Sequence, residues 1–132
     1  MSLFVDTSVF FAAFSKNDAL HADAVSLLEW ALQGEGGTIY TSDYVFDETV
    51  TLVRVRTHNS EMALKIGQMV KDSSRVIMLR VDEDIFEKAW DVFREYCCRG
   101  LSFTDCTSVA LVREHRIGRV LSFDAHFEGI VE

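Results

Sequence analysis

The chain has 132 residues, 48% hydrophobic and 26% charged, the balance of a globular protein with one core rather than of a disordered or fibrous one. Its 13 Lys and Arg stand against 21 Asp and Glu, and the net charge of −8 excludes sequence-blind adhesion to nucleic acid through a broad basic face. No apolar run approaches the roughly 20 residues of a membrane-spanning helix, and no basic segment leads into a signal-like stretch, so a cytoplasmic protein of one domain, residues 1–132, is expected.

Leu3-Phe4-Val5 reads as a short buried strand that ends abruptly in Asp6-Thr7-Ser8, a carboxylate and two hydroxyls. The apolar run Val9 to Phe14 is too short for a long helix, and Asn17-Asp18 marks a turn. From His21 to Gln33 the spacing of Ala24, Val25, Leu28 and Leu32 predicts an amphipathic helix, ended by Gly34-Glu35-Gly36-Gly37. Thr38-Ile39-Tyr40-Thr41 is a second strand, and Thr41-Ser42-Asp43 caps a helix reaching about His58.

Ser60 to Lys71 is a further helix on Met62, Ala63, Ile66 and Val70, followed by the strand Arg75 to Leu79. Asp82 caps a longer helix on Ile85, Ala89, Val92, Phe93 and Tyr96, which stops at Gly100. Ser102-Phe103-Thr104-Asp105 opens a helix whose residues Val109 to Val112 are apolar on nearly every side and therefore buried; Gly118 ends it. Arg119 to Asp124 is a strand that, like the first, runs into a carboxylate, and Ala125 to Glu132 leaves room for one turn and a short edge strand. Strands alternating with helices imply an α/β fold with a mostly parallel sheet of four or five short strands and helices on both faces. Cys97, Cys98 and Cys106 offer no CxxC spacing, which suits a reducing compartment and neither a disulfide framework nor a zinc site.

Four acidic residues stand apart by position: Asp6, Glu48, Asp105 and Asp124. Glu48 falls on one helical face with Tyr44, Val45, Leu52 and Val55, while Asp43, Asp47 and Arg54 form the opposite, solvated stripe. A charge in an apolar stripe is costly, so Glu48 needs a cation, an ion pair with Arg54 or Arg56, or a helix end that protrudes past the core. Asp105 lies three residues after Ser102, the spacing of a capping box. Asp6 and Asp124 each have an equally plain reading as caps or turn formers. Their shared place is more telling, because parallel strands end, and the following helices begin, at one edge. Carboxylates converging there without basic neighbours repel, and a divalent cation relieves the repulsion; oxygen donors without His or Cys favour Mg²⁺ or Mn²⁺.

Asp6-Thr7-Ser8 after a first strand, a lone Glu48 in the helix after the second, Leu101 to Asp105 opening a buried helix and Ser122-Phe123-Asp124-Ala125-His126-Phe127 near the end resemble the PIN domain family. More narrowly, the chain is similar to the VapC-type toxins of toxin-antitoxin pairs. The resemblance covers the whole chain; its motifs are short, and its specificity lies in the set. It implies a three-layer PIN-like fold and a Mg²⁺-dependent endoribonuclease that acts on RNA, is held inactive by a small antitoxin protein and is a homodimer. By position, Asp6, Glu48 and Asp105 would be the central metal ligands, and Asp124 would complete a second metal site or hold a metal-bound water. Ser8 would orient Asp6, with Thr7 as a second supporting residue. Arg54, Arg56 and Arg99 are candidates for phosphate contacts. His126 is in principle a proton donor, but beside Phe127 at a strand end it reads as structural. The end of the chain departs from the family pattern: only eight residues follow Asp124, so a last strand must be very short or missing.

Three other readings compete. A haloacid-dehalogenase-type phosphotransferase requires a second Asp two positions after the first, where this chain has Ser8. A catalytically silent PIN-like binding module is disfavoured by the presence of all four carboxylates. An RNA-processing PIN nuclease without an antitoxin shares the fold, which does not fix substrate.

Overall fold

A computed structural model of the chain describes residues 1–127 and 130, with Cys97 in its backbone only. The elements follow in the order β1 (Ser2–Val5), α1 (Thr7–Phe14), α2 (His21–Leu32), β2 (Thr38–Ser42), α3 (Asp43–Thr57), α4 (Ser60–Asp72), β3 (Val76–Leu79), α5 (Glu83–Tyr96), α6 (Phe103–His115) and β4 (Arg119–Leu121). One-turn 3₁₀ segments occupy Cys97–Arg99 and Ala125–Phe127. The strands form a four-stranded sheet in the order β3-β2-β1-β4, every neighbouring pair parallel.

Successive strand residues face opposite sides of a sheet, so burial of a whole strand reports cover on both sides. Leu3, Phe4 and Val5 are each 0% exposed, which places β1 at the centre of a three-layer packing. β2 and β4 flank it, and β3 forms the edge beside β2 with Ile77 exposed. The core continues through Val9 and Phe10 of α1, Val45 and Val53 of α3, Ile66 of α4, Ile85 and Ala89 of α5, and Val109 to Val112 of α6. Full burial of side chains of this size contributes roughly 1.5–3 kcal/mol each, which is why these segments cannot slide relative to the sheet. Gly37 anchors the start of β2: it takes φ +87°, and any Cβ there would strike the Met1 carbonyl.

Chain order and strand order differ at one point. β1 leads outward through β2 to β3, whereas β4 returns to the other side of β1. The crevice beyond the carboxyl ends of β1 and β4 is therefore the topological switch point, the place where parallel α/β sheets bind ligands.

Three sequence expectations need correction. The last strand stops at Leu121 rather than reaching Asp124, because its partner β1 ends at Val5 and offers no ladder beyond the Val5–Leu121 pair. α6 ends at His115 rather than at Gly118: Arg116 adopts the left-handed conformation with φ 52°, and the Ile117 amide returns to the Val112 carbonyl. Val55 is 60% exposed and does not share the buried face of α3, which is lined by Val45, Thr49 and Val53. The short edge strand expected after Phe127 lies outside the described residues apart from Ile130.

Candidate functional site at the carboxyl edge of the sheet

Asp6 is the residue on which β1 ends and α1 begins. It is the N-cap of α1, with extended φ −85° and ψ 161°, so the plain capping reading holds. Its Oδ2 accepts the Ser8 amide at 3.4 Å and the Ser8 hydroxyl at 3.0 Å. The register Val5↔Leu121 sets Asp6 beside Ser122, the residue just past β4, and the Ser122 hydroxyl donates to the same oxygen at 2.9 Å. The other oxygen, Oδ1, is buried and accepts from no protein donor among the described residues. Burial raises the pKa of this carboxyl, and the Ser122 and Ser8 hydroxyls oppose the rise.

Ser8 ties the two strand ends together. Besides binding Asp6, its hydroxyl oxygen accepts the Phe123 amide at 3.0 Å and lies 3.2 Å from the Ser122 hydroxyl oxygen. Ser122 in turn accepts the Asp124 amide at 2.9 Å, and Asp124 Oδ1 accepts the His126 amide at 2.9 Å. The loop after β4 is thereby folded back over the end of β1.

Glu48 sits half-buried on α3, at the margin of its core face. Neither Arg54 nor Arg56 forms an ion pair with it among the described residues, so that structural alternative is not realised. Its pKa is raised, first by burial and then by the charges of Asp6, Asp47 and Asp124, with the nearby Thr7 hydroxyl opposing. That Thr7 hydroxyl is buried and meets no partner in full hydrogen-bond geometry.

Asp105 is the third residue of α6 and closes a complete capping box. The Ser102 hydroxyl accepts the Asp105 amide at 3.0 Å, and Asp105 Oδ2 accepts the Ser102 amide at 3.0 Å. Burial pushes this carboxyl up to about 6; the Ser102 amide opposes the shift, and Asp6, Glu48 and Asp124 add to it. Cap and site again coincide in one residue.

All four carboxylates singled out in the sequence, with Thr7 and Ser8, line one open cleft of about 490 Å³. Phe11, Leu52, Arg56 and His126 share its wall. His126 lines the cleft as well: its Nδ1 lies 2.9 Å from Asp124 Oδ1, and donor atoms of Asp105, Asp124 and His126 come within 4.8 Å of one another. The D-x-H spacing lets the carboxylate that caps the tight turn also meet the ring two residues on.

The donor set fits a divalent cation. Three of the four carboxyls hold their protons more tightly than in water, chiefly through burial and, for Glu48 and Asp105, also through their acidic neighbours, and Asp6 Oδ1 is a buried acceptor that no donor satisfies in full hydrogen-bond geometry among the described residues.

A parallel sheet that gathers carboxyl groups at its switch point defines an α/β protein with an acidic cleft that could hold a divalent metal ion. The chain belongs to the PIN domain family, whose family model matches residues 3–132, and to the VapC ribonucleases within it. It is 34% identical over 133 residues to the 23S rRNA-specific endonuclease VapC20 of Mycobacterium tuberculosis, covering 98% of this chain and 96% of that one. It is 27% identical over 128 residues to a VapC ribonuclease of Archaeoglobus fulgidus, covering 96% and 80% of the two chains. The crystal structure of M. tuberculosis VapC20, described as a sarcin-ricin loop cleaving toxin, superposes with a TM-score of 0.85 at 33% identity over 98% and 97% of the two chains. The Rickettsia felis VapBC2 complex bound to a promoter DNA fragment matches with a TM-score of 0.68 at 16% identity over 98% and 93%, a likeness of fold alone. PIN nucleases generally use divalent metals, in keeping with the acidic cleft.

Proposed function

We propose that the chain is a Mg²⁺- or Mn²⁺-dependent endoribonuclease and the toxin of a toxin-antitoxin pair, cytoplasmic, homodimeric, and working as one PIN-like domain over residues 1–132. The observation that carries this reading is the meeting of Asp6, Glu48, Asp105 and Asp124 in one cleft, where one Asp6 oxygen is left unsatisfied among the described residues. Kinship to VapC20, named for cutting an rRNA and described as a toxin, supports an RNA substrate and a small antitoxin protein as partners. The homodimer follows from the family resemblance.

Asp6, Glu48 and Asp105 are the residues we assign to hold the cation, with Asp124 completing a second position or orienting water, and Ser8 and Thr7 supporting. When bound, a divalent ion supplies positive charge against the phosphate oxygens and brings the pKa of water toward neutrality. The chain's own contribution is placement. Ser8 and Ser122 occupy Asp6 Oδ2 and so leave Oδ1 as the free donor. The capping box fixes Asp105 on a helix whose next residues are all buried, so its carboxyl does not drift as substrate enters. Carboxylate oxygens turned to solvent accept the proton that the attacking water gives up.

Purified chain incubated with ribosomal RNA and Mn²⁺ is expected to release discrete fragments. Expression in cells is expected to arrest growth until a small reading frame next to the gene is co-expressed. Intact RNA in the first assay would remove the nuclease; cleavage without growth arrest would remove the toxin and leave an RNA-processing enzyme.

A further inference from the structure

An acidic protein that cuts a polyanion needs at least one fixed cation beside its metal site, and three arginines compete for that role. Arg54 and Arg56 are two positions apart on α3, which turns them about 200° from one another around the helix axis. Arg54 lines the groove between α3 and α4 with Phe46, Val50 and Leu64. Arg99 lies over the Tyr96 ring at 5.9 Å. Arg56 alone of the three lines the cleft that holds the four carboxylates.

Its local environment explains why it does not collapse onto them. The guanidinium lies over the ring of Phe11, 5.1 Å from its centroid, and Phe11 is itself buried in the core on α1. Among the described residues Arg56 makes no ion pair, even though Asp18 and Glu48 line the same cleft. Asp18 is engaged elsewhere, its Oδ1 accepting the Leu20 amide at 2.8 Å. A ring against one face of a guanidinium leaves the N–H groups at its edge available, and that planar fork matches two oxygens of a phosphate.

We propose that Arg56, seated on Phe11, is the phosphate-binding residue of this cleft and takes a phosphate of the RNA strand next to the one being cut. The proposal rests on the ribonuclease reading above. Eight residues of helix, about 12 Å along the axis, separate Arg56 from Glu48, so the contact falls along the strand from the reacting bond. An interaction there is made equally in the bound substrate and in the transition state, and its loss appears in KM rather than in kcat.

The test compares wild type with Arg56→Ala, Arg56→Lys, Phe11→Leu and Arg54→Ala on a fluorogenic RNA stem-loop in Mn²⁺. Arg56→Ala is expected to raise KM about tenfold with kcat changed less than about twofold, and to flatten the salt dependence of kcat/KM by roughly 0.7 in log-log slope. Arg56→Lys keeps the charge without the fork and should fall between, as should Phe11→Leu; Arg54→Ala should match wild type. An unchanged KM in Arg56→Ala, or a loss confined to kcat, overturns the proposal while leaving the nuclease intact. Should wild type cleave no RNA, the function above fails on its own. Anisotropy of the same labelled stem-loop in EDTA then decides the present point: weaker binding by Arg56→Ala supports it, and equal curves, absence of binding by both included, overturn it.

Discussion

Ser122 and Asp6, 116 positions apart in sequence, are joined by a 2.9 Å hydrogen bond from the serine hydroxyl to Oδ2 of the carboxylate. The bond exists because β1 and β4 are parallel and end level with one another, so that the residues just past Val5 and Leu121 emerge side by side. It leaves one oxygen of Asp6 occupied and the other without a donor among the described residues.

Ser122→Ala removes that donor and the acceptor for the Asp124 amide at once. A loss of about 1 kcal/mol in stability is expected from the broken hydrogen bonds, with a fall of roughly tenfold in Mn²⁺ affinity. Chemical denaturation and calorimetric titration measure the two; unaltered metal affinity would show that Ser122 does not position Asp6.

Asp6→Asn is expected to fold with an unchanged circular dichroism spectrum and to lose cleavage outright. In chelator it should be at least as stable as wild type, since it relieves a buried carboxylate next to Glu48 and Asp105. Retained cleavage would take Asp6 out of the site.

The metal-free protein should lose stability as pH rises from about 4 to 6. Asp105 is shifted from 3.8 up to about 6, so between those values the folded state binds more protons than the unfolded state. Stability is then fully present below the unfolded value and is lost as pH climbs through the folded one, by on the order of 2 kcal/mol. Asp6 and Glu48, both raised, act in the same direction. Thermal melts in EDTA across this range check it, and a melting temperature that climbs between pH 4 and 6 would contradict it.

Addition of Mn²⁺ at pH 7 should raise the melting temperature and restore cleavage silenced by EDTA, because an ion that binds only the folded carboxylates stabilises by mass action. Equal melting with and without the ion, or cleavage that persists in chelator, would exclude the metal scheme.

Much of this site was readable from the sequence because its residues stand at element boundaries. Asp6 closes a short apolar run, and Asp105 follows Ser102 at capping-box spacing. Glu48 stands at the margin of the buried face of α3, in keeping with its apolar spacing, but Val55 does not share that face. The centre of the buried face of α3 passes through Val45, Thr49 and Val53, and the polar Thr49 hides that line from a hydrophobic count, so Val55 was drawn in although it lies about 200° from Val53. The end of the last strand was not readable, since a strand stops where its partner does and Val5 is 116 residues away from Leu121. The pairing of His126 with Asp124 was not readable, because it depends on how the loop after β4 folds back onto Ser8. Capping and a place in the cleft are not alternatives: Asp6 and Asp105 each engage a helix N-terminus through Oδ2 and also line the cleft.

The docking of β4 against β1 has a consequence for how such a molecule is made. The segment that fastens Asp6 leaves the ribosome long after Asp6 itself, so the nascent chain carries an unfinished acidic edge while it is still attached to a particle built on rRNA, the class of molecule that the similar VapC20 is named for cutting. Order of synthesis thus delays completion of the edge until its last contributor is free to dock.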